Sequence, residues 1–108
     1  MSMTVNANFS EDKLLACIDS GIDVFGNTVK NVIYFRFKTL FNLERRDIVR
    51  KPEVFSECLR AFFGDRAFNV ETAIVASIMG SFPLPDVALS DSATRAITSA
   101  RKLVQSSS

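Results

Sequence analysis

Apolar residues along this chain return every three to four positions, the spacing of one face of a helix. The clearest stripe is Phe55, Cys58, Leu59, Phe62 and Phe63. Pro52 stands where a first helical residue tolerates proline, and Gly64 falls just past the last apolar position. These signals predict a helix over about 52–63. Leu14, Leu15, Ile18, Ile22 and Phe25 mark another over about 11–25, with Ser10 as N-cap and Glu11 and Asp12 in its first turn. Gly21 interrupts that helix. Either a neighbouring helix packs closely there or the helix ends nearby. Gly26-Asn27 reads as a stop and a restart.

Val29, Val32, Ile33, Phe37, Leu40 and Phe41 give a stripe over about 27–41, with Tyr34 and Phe35 off it. Residues 32–37 alone fit a β-strand as well, being β-branched and aromatic. The longer window fits only a helix. Residues 42–51 are polar and charged, with Leu43 and Ile48 as apolar pegs. Asp65 is a candidate cap for a helix over about 66–80. Ala67, Val70, Ile74 and Ile78 line that helix, and Phe68, Val75 and Met79 widen its apolar arc, the mark of a central element. Phe82-Pro83-Leu84-Pro85 cannot be helical. A last helix over about 87–104 starts at Asp86 or Ser90 and carries Ala93, Ala96, Ile97, Ala100, Leu103 and Val104.

The expected organisation is all-α, a single compact bundle of about five helices. It has a flexible N-terminus (1–9), a four-helix core (10–80), a proline-containing connector (81–86), a C-terminal helical segment (87–105) and a disordered tail (106–108). The fifth helix is expected to pack across the core or onto a second subunit.

Composition sharpens this picture in two ways. The chain has 108 residues, enough for one domain with one core. Its ten Phe, with one Tyr and no Trp, point to a Phe-packed core, with some of the rings available for an oligomer interface. Charge is nearly balanced at +1 overall, so there is no general attraction to nucleic acid or acidic membranes. It is unevenly spread, however. Residues 1–25 carry four acids against Lys13, whereas residues 36–51 carry Arg36, Lys38, Arg45, Arg46, Arg50 and Lys51 against Glu44 and Asp47. That basic segment is the candidate partner surface, for phosphates or for an acidic protein face. The alternative is a solvated loop with local ion pairs.

Candidate chemistry is sparse. The chain has no histidine, so the commonest general base and metal ligand are missing. The glycines stand singly, which excludes a phosphate loop. Cys17 and Cys58 sit at apolar helical positions and read as buried free thiols rather than a disulfide or metal pair. Asp19 with Asp23, and Glu53 with Glu57, are one helical turn apart and read as solvated pairs. Glu71 lies among apolar residues and is expected to pair with Arg66 or Arg60, or else to serve a buried structural or switching role. No catalytic, cofactor-binding or metal-binding residue is assigned, and the chain is read as a non-enzyme without cofactors. With no secretory or membrane-spanning signal, a cytoplasmic location is expected.

The run Ile48, Pro52, Phe55, Leu59, Phe63-Gly64 resembles a small helical family, the thaumarchaeal-type output domains of archaeal signal-transduction proteins. It is preceded by Leu14-Leu15, Ile18, Gly26, Val29, Ile33 and Tyr34, and followed by Ala67, Glu71 and Ile74. The likeness covers about 14–78. It implies a noncatalytic output or protein–protein interaction module in signalling, and it carries over no catalytic or ligand residue. The shared positions would be structural: Pro52 starts a helix, Gly64 ends it, and Phe55, Leu59 and Phe63 pack the core. The expected function is therefore an interaction module, homodimeric on the strength of its Phe content and of the prevalence of two-fold dimers. The competing readings are a nucleic-acid-binding regulator using residues 45–51, and an enzyme, which would need Asp19 and Glu71 brought together in a pocket.

Overall fold

Local capping starts the first helix where the sequence places it. Ser10 is extended, and its Oγ accepts the Lys13 backbone N–H at 3.1 Å, so α1 runs Glu11–Asp23. In this computed structural model, which describes residues 10–107, the chain is all-α. Phe25 N–H and Gly26 N–H close the end of α1 on Ile22 and Asp23 carbonyls. Gly26 then turns the chain at φ 104°, a conformation that side chains resist. α2 (Asn27–Phe41) follows and settles the ambiguity over 32–37 as helix. It ends on Asn42, which adopts the left-handed conformation at φ 55° and returns its N–H to the Lys38 carbonyl at 2.8 Å.

The polar stretch after α2 contains a one-turn helix that periodicity did not predict, α3 (Asp47–Arg50). Ile48 and Val49 are both buried, so this turn is a plug in the core rather than a loop. α4 (Pro52–Phe63) begins on proline and ends at Gly64, as its sequence dictates. A 3₁₀ turn over Gly64–Arg66 feeds α5 (Ala67–Met79). Asp65 lies inside that turn and does not cap α5: the N-cap position is Arg66, without a side-chain cap.

The last helix departs most from expectation. It runs Ala93–Ser107 (α6), starting six residues after position 87 and extending into the expected tail; residues 1–9 and 108 lie outside the described residues. The reason is local. Leu84 and Val87 close a turn by a 3.1 Å backbone bond, which sends both side chains into the core. Asp91 Oδ2 accepts the Ala88 N–H at 2.8 Å, so residues 88–91 form a turn of their own. Ser92, rather than Asp86 or Ser90, then caps α6 by accepting the Arg95 N–H at 3.2 Å.

α5 is the central element. Ala67, Val70, Glu71, Ile74, Val75 and Ile78 are buried on it, against α1 on one side and α6 on the other. α6 packs across the core on α1, α4 and α5 through Ala93, Ala96, Ile97 and Ala100. α2 lies at the edge, on α1 and α4, and buries only Ile33 and Phe37.

Gly21 explains the closeness of α1 and α5. A Cβ at this position would meet the Ile74 Cα at 2.7 Å and the Ala73 carbonyl oxygen at 2.9 Å. Of the two readings of Gly21, close helix approach is the correct one. Ser77 Oγ reinforces the crossing by donating to the Cys17 carbonyl at 2.6 Å.

The Phe residues divide between inside and outside. Phe37, Phe55 and Phe82 are fully buried, the first two in an edge-to-face pair at 5.5 Å. Phe41 and Phe63 pack partly against the core. Phe25, Phe35, Phe62 and Phe68 are exposed, as is Leu40. Phe68 therefore does not widen the buried arc of α5, and Leu40 lies outside the buried stripe of α2.

Candidate partner-binding surface

The residues of the basic segment lie on α2, on α3 and in the segments flanking α3, and several are already engaged. Arg45 reaches back to α1, placing Nη2 2.6 Å and Nε 3.1 Å from Asp19 Oδ2. Lys38 pairs with Glu44 at 2.9 Å, and Arg50 lies 3.6 Å from Asp47. Arg36 stacks over the Phe62 ring at 5.8 Å. Arg46 and Lys51 are exposed and form no ion pair among the described residues. Lys38–Glu44 and Arg50–Asp47 are local pairs, as the loop alternative expected, whereas Arg45 reaches 26 positions back to Asp19.

Asp19 gains a second partner that sequence spacing could not reveal. The Tyr34 hydroxyl donates to Asp19 Oδ1, so one carboxylate joins α1, α2 and the segment before α3. This accounts for Tyr34 lying off the α2 stripe: its hydroxyl reaches Asp19 on α1 while the residue packs partly against the core. Burial pushes the Tyr34 phenol well above its ordinary value, and the Asp19 hydrogen bond and negative charge push it further, against an opposing effect of Arg45. The folded chain thus holds the phenolic proton more tightly than the unfolded chain does. This contribution to stability is complete below about pH 10 and is lost as pH rises beyond it. Tyr34 is the only tyrosine, so tyrosinate absorbance reports it alone. We expect that absorbance to rise only together with loss of helix, above pH 10. Ionisation at its ordinary pH in a still-helical chain would contradict this assignment. Tyr34→Phe should cost about 1 kcal/mol at neutral pH and remove the dependence.

The other member of the Asp19–Asp23 pair is also engaged: Asp23 meets Lys30 at 3.0 Å, so neither is a merely solvated carboxylate. Glu53 and Glu57 are exposed.

Glu71 corrects a more specific expectation. It pairs with neither Arg60 nor Arg66. Its Oε1 accepts the Ala93 N–H at 2.9 Å and the Ser56 hydroxyl at 3.3 Å. Ser56 in turn meets Thr94 Oγ1 at 2.8 Å, and Thr94 donates to the Pro52 carbonyl at 3.3 Å. A buried carboxylate is therefore offset by the N-terminus of α6, whose free N–H groups and dipole favour negative charge. The role is structural: Glu71 on α5 caps α6 from across the core and ties it to α4. Asp19 and Glu71 have separate sets of partners. Cys17 and Cys58 are buried free thiols, and burial raises the Cys58 thiol against a lowering influence of Arg36.

Two clefts remain. The larger, about 430 Å³, is lined by Phe25, Val29, Phe63, Arg66, Asn69 and Val70. The smaller, about 240 Å³, lies between residues 83–87 and Ser99, Lys102 and Leu103 of α6. Sequence reading assigned neither, because each draws residues from elements far apart in the chain. Among the described residues no group of three His, Cys, Asp or Glu could hold a metal ion, and no helix is long and apolar enough to cross a membrane.

No protein-family model, curated protein or solved structure matches the chain. The likeness to thaumarchaeal-type output domains thus rests on the residue pattern alone.

Proposed function

We propose that this chain is a noncatalytic helical interaction module that works in signalling or regulation and self-associates through α2, with Phe35 at the centre of the contact. The observation that carries the reading is the mismatch between the composition of α2 and its burial. α2 contributes two residues to the core, while Phe35 is 66% exposed and Leu40 59% exposed. Large apolar side chains on an edge helix are the usual material of a helix-packed interface, and aromatic ones dominate its energetics. The archaeal output-module assignment is supported by the residue likeness over 14–78. It is compatible with a structure in which Pro52, Gly64 and Phe55 serve folding. A nucleic-acid-binding role would have to rest chiefly on Arg46 and Lys51, since Arg45, Lys38 and Arg50 are drawn into pairs with acids.

Size-exclusion chromatography with light scattering tests the reading. At high micromolar concentration the chain is expected at twice its own mass. Phe35→Glu should weaken that association by at least about tenfold while leaving the helical circular dichroism unchanged. A monomer at the same concentration would defeat the proposal.

A further inference from the structure

The larger cleft does not include Phe35 and has a chemistry of its own. Gly64 makes it possible. At φ 59° this residue turns the chain sharply from α4 into the 3₁₀ turn, and Phe63 and Arg66, three positions apart, come to line the same cleft. The turn between α1 and α2 closes the other side with Phe25 and Val29, and Val70 of α5 supplies the floor, 1% exposed.

Four of the six lining residues are apolar. The two polar ones are a guanidinium and a side-chain amide, both exposed. Arg66 forms no ion pair or hydrogen bond with a described side chain, although Asp65 adjoins it in sequence. The volume, about 430 Å³, is within the range of small-molecule sites, and an apolar lining with a few polar groups that fix orientation is their usual composition. Nothing acidic lines the cleft. The lining therefore suits an occupant that is apolar over most of its surface and negatively charged at one end.

We propose that this cleft binds an amphipathic carboxylate, with its apolar tail against Phe25, Val29, Phe63 and Val70 and its carboxylate on Arg66 beside Asn69. The guanidinium offers the carboxylate two parallel N–H donors, a geometry that a neutral or cationic head group cannot use. The amide of Asn69 can donate to the same oxygens.

The probe is sodium dodecanoate, kept below its micelle concentration and added to the isotopically labelled full chain, with binding followed by amide chemical shifts. Saturable shifts are expected at Phe25, Val29, Phe63, Asn69 and Val70. Arg66→Gln should weaken binding about five- to tenfold, and dodecanol and dodecylammonium should bind the wild-type chain more weakly than dodecanoate by a similar factor. Arg66 is exposed, so its replacement leaves the core intact. Lys102→Gln, in the smaller cleft, should change nothing. The proposal is overturned if dodecanoate gives no saturable shift, if Arg66→Gln binds as well as wild type, or if the other two head groups bind equally. It is overturned too if the shifts map to the smaller cleft, or if ligand-free protein shows concentration-dependent shifts at these same residues, which would place a second copy there.

Discussion

Replacing Gly21 with alanine is expected to destabilise the fold by about 3 kcal/mol, although the same change in an ordinary helix would stabilise it by up to about 1 kcal/mol. The opposing effect is steric. The new methyl group would lie 2.7 Å from the Ile74 Cα and 2.9 Å from the Ala73 carbonyl oxygen, and both belong to backbone that cannot swing aside. Relief requires α1 and α5 to separate. That would loosen the core around the buried Leu14, Ile18 and Ile22 of α1 and stretch the 2.6 Å bond from Ser77 to the Cys17 carbonyl. The melting temperature should fall by roughly 15 °C for a domain of this size. Gly80→Ala is the matched control. Its Cβ would meet only the Ser77 and Ala76 carbonyl oxygens, at 3.4 and 3.6 Å, and its φ of −70° suits any residue. It should be neutral or slightly stabilising. Thermal melts of the two variants check both signs, and an unaltered Gly21→Ala melt would remove the close crossing from the account.

Removing the carboxylate at position 71 is expected to cost a similar amount, about 2–4 kcal/mol for Glu71→Ala. The variant loses the cap on the Ala93 N–H, leaves Ser56 without one partner and opens a void beside α6. Glu71→Gln keeps an acceptor oxygen in place and loses only the charge at the helix N-terminus, so it should cost about 1 kcal/mol. The effect is local as well as global. Amide hydrogen exchange should accelerate first at 93–96 in Glu71→Ala, before α1 or α5 responds. Uniform acceleration across all helices, or an equal loss in the Gln variant, would count against the capping role.

Which features could be read from the chain, and which could not, follows from the range of the forces involved. Ser10, Gly26, Pro52 and Gly64 act on their immediate neighbours, so the limits they set on α1, α2 and α4 were visible in the residues themselves. The stripe Phe55, Cys58, Leu59 was likewise legible, since burial on one face needs only the helix period. Gly21 announced a choice between two causes, and only the position of Ile74 decides it. α3 escaped notice because one turn is too short to show a period, even with Ile48 and Val49 both buried. The start of α6 lies later than expected because Asp86 and Ser90 have the side chains of caps, yet the Leu84–Val87 and Ala88–Asp91 turns keep residues 84–91 out of the helix.

Long-range polar partners were the least legible. Tyr34 and Asp19 are 15 positions apart, Arg45 and Asp19 are 26 apart, and Glu71 and Ala93 are 22 apart. No local rule connects such pairs. The basic segment illustrates the consequence. Six cations near one another in sequence suggest a field, but folding gives several of them carboxylate partners. Exposed among the described residues are Phe35 and Leu40 on α2, the cations Arg46 and Lys51, and Arg66 at the mouth of the larger cleft.

The position of each site depends on α1 and α5 lying in backbone contact at the centre of an all-helical bundle. A nuclear Overhauser spectrum measures that contact directly. A strong cross-peak between the Gly21 and Ile74 α-protons is the expected result. Its absence in a folded, helical sample would contradict the arrangement from which the Glu71 cap, the exposed Phe35 of α2 and the carboxylate cleft all follow.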